Sequence, residues 1–190
     1  MTTACRELIL GGQRSGKSRR GEQVAAAWLS RSTAHRAVLV ATALARDEEM
    51  RDRIARHRSD RAVRVPAMIT IEEPFALAEA IRAHSTPETL VLVDCLTLWL
   101  TNLLMPADAA RVVDEAAAEP ATAALVREIS AARGPLVLIG NEIGLGVIPL
   151  GRDVRAFVDA LGRLNQEVAA ACDRVTFMAA GLPLTLKEPA

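Results

Sequence analysis

The chain has 190 residues, 51% of them hydrophobic and 24% charged, the make-up of a globular protein with room for one domain and a substantial core. Lys plus Arg equal Asp plus Glu at 23 each, so no net field draws the protein to nucleic acid or to an anionic membrane surface. Trp28, Phe75, Trp99, Phe157 and Phe177 are too few and too scattered for a base-stacking platform, and no nucleic-acid partner is expected.

Residues 1–190 read as a single α/β domain. Cys5, Cys95 and Cys172 lie far apart without C-x-x-C spacing; they read as free thiols of a reducing compartment, with no zinc site. A strand begins within a few residues of Met1 and Arg6-Glu7 interrupts the apolar run, so no leader peptide is expected. The apolar stretch from Leu90 to Met105 contains Asp94, Thr97, Thr101 and Asn102, which makes it a poor bilayer span. The expected location is cytoplasmic.

In chain order, Leu8-Ile9-Leu10 is the first buried strand. It runs into Gly11-Gly12-Gln13-Arg14-Ser15-Gly16-Lys17-Ser18, a full match to the phosphate-loop pattern G-x-x-x-x-G-K-[ST]. Glycines let the backbone turn tightly, so that N–H groups and the positive end of the next helix converge on an anion. Lys17 is placed for the terminal phosphates of a nucleotide and the Ser18 hydroxyl for a magnesium ion. The helix that follows, Arg19 to Leu29, carries Val24, Ala25, Trp28 and Leu29 on one side, leaving Arg19, Arg20 and Glu22 for the other.

Ala37 to Ala41 reads as a second buried strand. Ligands collect at the carboxyl ends of parallel strands, so Thr42 and its neighbours are expected to line the nucleotide site. Asp47 to Arg58 is a strongly charged helix whose apolar stripe is only Met50 and Ile54, with acids at its start and bases at its end. His57 stands among Arg56, Arg58 and Arg61, cations that favour a neutral, nucleophilic imidazole. On spacing alone it reads as an ordinary solvated histidine.

Val63 to Ile71 reads as extended, ended by Glu72-Glu73-Pro74. Pro74 suits the first turn of a helix buried through Phe75, Leu77, Ala78 and Ile81. Thr89 to Asp94 is a buried β run capped by a carboxylate, a weak signal alone that gains weight beside a phosphate loop, where such a group holds magnesium. Cys95 to Met105 continues as an apolar helix stopped by Pro106. Ala109 to Ala132 is alanine-rich and helical, expected to break near Pro120. Pro135 to Gly140 is the next strand and ends in Asn141-Glu142-Ile143-Gly144-Leu145-Gly146, readable equally as a plain connection or as a substrate contact. Val154 to Val168 is an amphipathic helix, and Asp173–Ala179 with Leu182–Lys187 form a terminal hairpin through Gly181. Strands alternating with helices give a three-layer phosphate-loop α/β fold with a mainly parallel sheet and a C-terminal β-hairpin.

Several segments together resemble the bifunctional adenosylcobinamide kinase / adenosylcobinamide-phosphate guanylyltransferase family. They are Gly11 to Ser18; Ala41-Thr42; Asp47 to Met50 with Arg53, Ile54 and His57; Glu72-Glu73-Pro74; Asp94 to Thr97 and Thr101 to Leu104; Asn141 to Pro149; and Gly162 to Gln166. They occur in order and nearly end to end.

The resemblance implies two reactions. ATP or GTP phosphorylates the aminopropanol hydroxyl of adenosylcobinamide, and GTP then transfers GMP to that phosphate through a guanylyl-histidine. It implies His57 as the guanylyl carrier, and Gly11, Gly12, Gln13, Arg14, Ser15, Gly16, Lys17, Ser18, Ala41, Thr42, Ala43, Arg58, Ser59, Asp60, Arg61, Glu72 and Asp94 as nucleotide-site residues. Lys17 is expected to be catalytic, Ser18 and Asp94 to bind magnesium, and the assembly to be a homotrimer. A plain small-molecule kinase without guanylyl transfer and a nucleotide-dependent switch protein share the phosphate loop and remain alternatives.

Overall fold

The computed structural model describes residues 5–45, 47–105, 115–146 and 149–189, leaving out the side chains of Arg53 and of residues 115–117. The strands are β1 (Arg6–Gly11), β2 (Arg36–Ala41), β3 (Met68–Glu72), β4 (Thr89–Asp94), β5 (Leu136–Ile139), β6 (Arg174–Ala179) and β7 (Leu182–Lys187). The helices are α1 (Lys17–Leu29), α2 (Glu48–Arg64), α3 (Leu77–His84), α4 (Leu96–Leu104), α5 (Glu115–Ser130) and α6 (Arg152–Ala171). One sheet runs β3-β2-β4-β5-β1-β6-β7, parallel throughout except for the antiparallel pair β6 and β7.

The central strands are continuous Val, Leu and Ile runs because both of their faces are covered. On one face, Ala25 of α1 and Val65 after α2 pack with Ile9, Leu39, Leu92 and Ile139. On the other, α3 to α6 supply Leu77, Ile81, Trp99, Leu125, Ile129, Leu161 and Leu164 against Leu8, Val40, Val91 and Leu138. The expected three-layer architecture with a terminal hairpin is therefore present. Ala180 (φ 51°) and Gly181 (φ 80°) form the hairpin's two-residue turn, with the left-handed backbone that such turns need.

Three local expectations are corrected. α2 continues to Arg64, beyond the expected end at Arg58, so Val63 is helical rather than extended. Its last turn is held by Arg64, which bonds Asp60 Oδ2 at 3.2 Å and Glu22 Oε2 at 2.8 Å. Pro74 and Phe75 lie outside α3: Glu73 Oε1 accepts from the N–H groups of Phe75 and Ala76 at 3.0 and 2.8 Å, delaying the helix to Leu77 and leaving Phe75 exposed. Pro120 lies inside α5 without ending it. It forfeits one backbone donor, while Leu125 and Ile129, both fully buried, anchor the rest of the helix. The expected stop at Pro106, the region from Ala109 to residue 114, and Val147-Ile148 lie outside the described residues.

The three cysteines are free. Burial pushes the Cys95 and Cys172 thiols up to about 12, which keeps them protonated and inert. No helix among the described residues is long and apolar enough to cross a membrane.

Trp99 is the largest fully buried side chain, and its indole N–H donates to Phe75 O at 2.9 Å. It thereby ties α4 to the segment that follows Glu72. Trp99→Ala is expected to cost ~3–5 kcal/mol through the cavity it leaves. Calorimetry should show Tm falling by about 10 °C; a shift of only a degree or two would contradict close packing there.

Candidate active site

The phosphate loop owes its shape to backbone that only particular residues tolerate. Gly11 (φ 151°) needs glycine because a Cβ would lie 2.4 Å from Met178 O and 2.7 Å from Ser15 Oγ. Gly16 (φ 101°) precedes α1 directly, so the first N–H groups of that helix face the loop's hollow. The hairpin turn supports the loop from below, with Gly181 N donating to Ser15 O at 3.0 Å. Gln13 and Arg14 are exposed on its rim, with Arg14 at φ 57°, and Ser15 is buried. Lys17 is buried as well, its ammonium bonded to Gly12 O at 2.6 Å.

Sheet register sets the second wall. Ala41 stands opposite both Glu72 and Asp94, so those three residues form one row across the ends of β3, β2 and β4. Their strand spacing puts the Glu72 and Asp94 backbones about 10 Å apart. Thr42 extends this edge but is fully buried. Its hydroxyl donates to Cys95 O at 2.7 Å and accepts from Cys95 N at 2.8 Å, and its N–H donates to Asp94 O at 3.2 Å. Thr42 therefore acts on the site by holding the Asp94 backbone, with its hydroxyl fully engaged. Ala43, partly exposed, follows it.

Asp94 points at the loop and its carboxylate bonds the Ser18 hydroxyl. Burial pushes its carboxyl above the ordinary 3.8, and the Ser18 bond and the nearby His57 and Lys17 pull it partly back. Hydroxyl and carboxylate side by side suit magnesium, which takes one or two protein oxygens and fills its octahedron with water and phosphate. Among the described residues, no group of three or more His, Cys, Asp or Glu could hold a metal by itself.

α2 supplies the third wall. Asp47 caps it by accepting from Met50 N at 2.7 Å, and Glu48 and Glu49 begin it. His57, Arg61 and Arg64 follow at i, i+4 and i+7, hence on one face. His57 and Arg61 lie near enough for their charges to act on Asp94; Arg61, also near Glu22, is half-buried, which lowers its pKa, while His57 is exposed. Arg58 pairs with Glu72, both exposed. Together with Arg61, Val65, Pro66 and Met68 they border a cavity of about 330 Å³ between α2 and β3. Ser59 is exposed, and Asp60 serves Arg64.

Of the expected residues, Lys17, Ser18, His57 and Arg61 thus lie near Asp94, and Arg58 and Glu72 border the cavity between α2 and β3; Thr42 is buried behind the edge, and Ser59 and Asp60 are exposed. Others were not foreseen. Glu22, expected on the polar side of α1, is buried and paired with Arg64, so it fixes α2 and with it His57. Asn102 donates to Thr42 O at 2.8 Å and Pro74 O at 3.2 Å, joining the ends of β2 and β3. Thr97 Oγ1 accepts from Asn141 N at 2.8 Å. No local pattern marks these positions, since each partner is far away in sequence.

The raised pKa of Asp94 has a definite sign. Folding favours its protonated form, so its ionisation costs stability as pH rises from the ordinary 3.8 through the folded value. Asp94→Asn is expected to leave the ligand-free protein at pH 7 with an equal or higher Tm, while nucleotide turnover falls roughly 100-fold or more. A variant both destabilised and active would overturn this assignment.

The model of the cobinamide kinase / cobinamide phosphate guanyltransferase family matches residues 7–186. The bifunctional adenosylcobalamin biosynthesis protein CobP of Pseudomonas aeruginosa is 46% identical over 97% of this chain and 99% of its own length. The CobU proteins of Escherichia coli and Salmonella typhimurium are 35% and 32% identical, each over 95% of this chain and 98% of their own. Among solved structures, the flagellar accessory protein FlaH of Methanocaldococcus jannaschii aligns with a TM-score of 0.52 at 12% identity, over 97% of this chain and 79% of that one, a likeness of fold alone. With a phosphate loop, a partly buried carboxylate and a histidine-bearing helix near one another in a chain matched over residues 7–186, this protein belongs to the cobinamide kinase / cobinamide phosphate guanyltransferase family.

Proposed function

We propose that the single domain 1–190 performs both transfers of this family at the hollow between α1, α2 and β4. In the first, the γ-phosphoryl group of ATP or GTP passes to the aminopropanol hydroxyl of adenosylcobinamide. Loop N–H groups and Lys17 hold the phosphates, while Ser18 and Asp94 hold the magnesium ion. The ion supplies charge neutralisation on the phosphate oxygens.

In the second, a ring nitrogen of His57 forms a bond to the α-phosphorus of GTP as the bond to pyrophosphate breaks. A phosphate oxygen of adenosylcobinamide phosphate then attacks that phosphorus, the N–P bond breaks, and adenosylcobinamide-GDP leaves. One difficult displacement becomes two. Arg61 and Arg58 offset the phosphate charge. The cavity beside Glu72 suits the guanine base, whose N1–H and amino group are donors for a carboxylate where adenine offers none at N1.

The observation that carries this reading is the common face of His57, Arg61 and Arg64, turned to Asp94 and Glu22 beside the phosphate loop. His57 is exposed on this face and so is open to the α-phosphate of a nucleotide. Incubation with magnesium and GTP labelled at the α-phosphate should give an acid-labile GMP adduct that maps to His57. The adduct should vanish in His57→Asn while corrinoid phosphorylation continues. Wild-type protein that takes up no label would overturn the guanylyl half.

The assembly proposed is a cytoplasmic homotrimer without nucleic-acid or membrane partners. Edge strand β7 supports self-association: Leu182, Leu184 and Leu186 alternate along it and are 70%, 59% and 58% exposed. Light scattering should report a trimer, and Leu184→Asp should shift it to a smaller species. A monomeric wild type would refute this part.

A further inference from the structure

Sheet order places one strand, β5, between β1 with its phosphate loop and β4 with Asp94. Whatever follows β5 therefore emerges between the loop and the magnesium-side carboxylate, where the terminal phosphate of a nucleotide lies. Gly140, Asn141 and Glu142 follow in the chain. The backbone there is stapled to the loop, with Gly140 N donating to Ile9 O at 3.0 Å and Glu142 N to Gly11 O at 3.2 Å.

The Glu142 carboxylate is oriented without being neutralised. Oε1 accepts from Gly144 N at 3.1 Å and Oε2 from Asn165 Nδ2 at 3.4 Å. Asn165, 4% exposed, also donates to Asn141 O at 3.1 Å, and its Oδ1 has no hydrogen-bond partner among the described residues. Among the described residues, no Arg, Lys or His forms an ion pair with Glu142.

A cavity of about 460 Å³ lies between the segment that follows Glu142 and α6, with Gly144, Arg155, Asp159, Gly162 and Gln166 on its walls; Glu142 is not on the wall itself but is bonded to it through Gly144 N. That is the size range of small-molecule sites. Gly162 stands in the middle of the twenty-residue helix α6, where alanine would be more stable. A Cβ there would meet nothing within 4 Å, so packing does not demand the glycine. Gly162 is itself on the cavity wall.

We infer that this cavity receives the hydroxyl-bearing arm of the acceptor and that Glu142 is the catalytic base of the kinase half, which rests on the function proposed above. The acceptor's O–H proton passes to Glu142 Oε2, and the oxygen forms a bond to the γ-phosphorus. The bond from that phosphorus to the β–γ bridging oxygen breaks, releasing the nucleoside diphosphate, and the proton on Glu142 is lost to water. Asn165 is a positioning residue that aims the carboxylate. The two transfers then approach the loop from opposite sides, guanylyl transfer from α2 and phosphoryl transfer from α6.

Three variants test this in the full-length protein, with adenosylcobinamide and magnesium nucleotide as substrates and the labelled GMP adduct as second readout. Glu142→Gln keeps size and hydrogen bonding but not basicity; its kinase kcat should fall about 100-fold, with adduct formation unchanged. Glu142→Asp should retain at least tenfold more turnover than Glu142→Gln, and this comparison stands even if the Gln variant is less stable. Gly162→Phe should raise KM for adenosylcobinamide tenfold or more at nearly unchanged kcat and adduct yield.

Glu142→Gln within threefold of wild type, or Asp and Gln variants of equal activity, would overturn the base. Loss of adduct in parallel with kinase turnover would do the same, by marking collapse of the loop. An unchanged KM in Gly162→Phe would remove the cavity from the acceptor's path. A wild type that phosphorylates no adenosylcobinamide would instead sink the kinase reading itself.

Discussion

Desolvating one carboxylate at the carboxyl edge of a parallel sheet is the constraint on which this site depends. Asp94 ends a strand of Leu and Val, where desolvation works against its charge. The fold compensates with short-range help: Ser18 bonds the side chain, Lys17 and His57 lie close, and Thr42 clasps both sides of the next peptide. Such an arrangement leaves the carboxylate in need of a cation. That need matches what a magnesium-nucleotide site would supply.

The phosphate loop depends on the far end of the chain. Gly11 can pass beneath Met178 O only without a side chain, and the Ala180-Gly181 turn props Ser15. The C-terminal hairpin thus supports the phosphate loop as well as forming the edge of the sheet. Its outer strand carries an exposed leucine row, so self-association through it would couple assembly to the loop.

The positions of helices α2 and α6 would let one loop serve both of the proposed reactions. α2 is pinned by the ion pair of buried Glu22 with exposed Arg64 and carries His57, while α6 holds Asn141 and Glu142 through Asn165. Because Glu142 follows the strand between β1 and β4, a nucleotide held on the loop would have one chemistry available on each flank.

Much of this was legible in the residues. The G-x-x-x-x-G-K-[ST] pattern, the β run ending in Asp94 and the turn at Gly181 are local: each is set by conformations and periodicities of a few neighbouring residues. Element types followed from these, and the errors fell where a side chain intervened, as when Glu73 delayed α3 and Arg64 prolonged α2. His57 was ordinary by its spacing and was singled out only by resemblance. The sequence by itself determined a nucleotide-binding α/β fold, the loop and the candidate histidine. Tertiary structure decided which polar groups face one another: Glu22 with Arg64, Thr42 with Cys95, Asn102 with Pro74, and Glu142 between the loop and Asp94. These pairings arise from strand order, register and helix docking, which bring together residues 28 or more positions apart, beyond the reach of any local pattern.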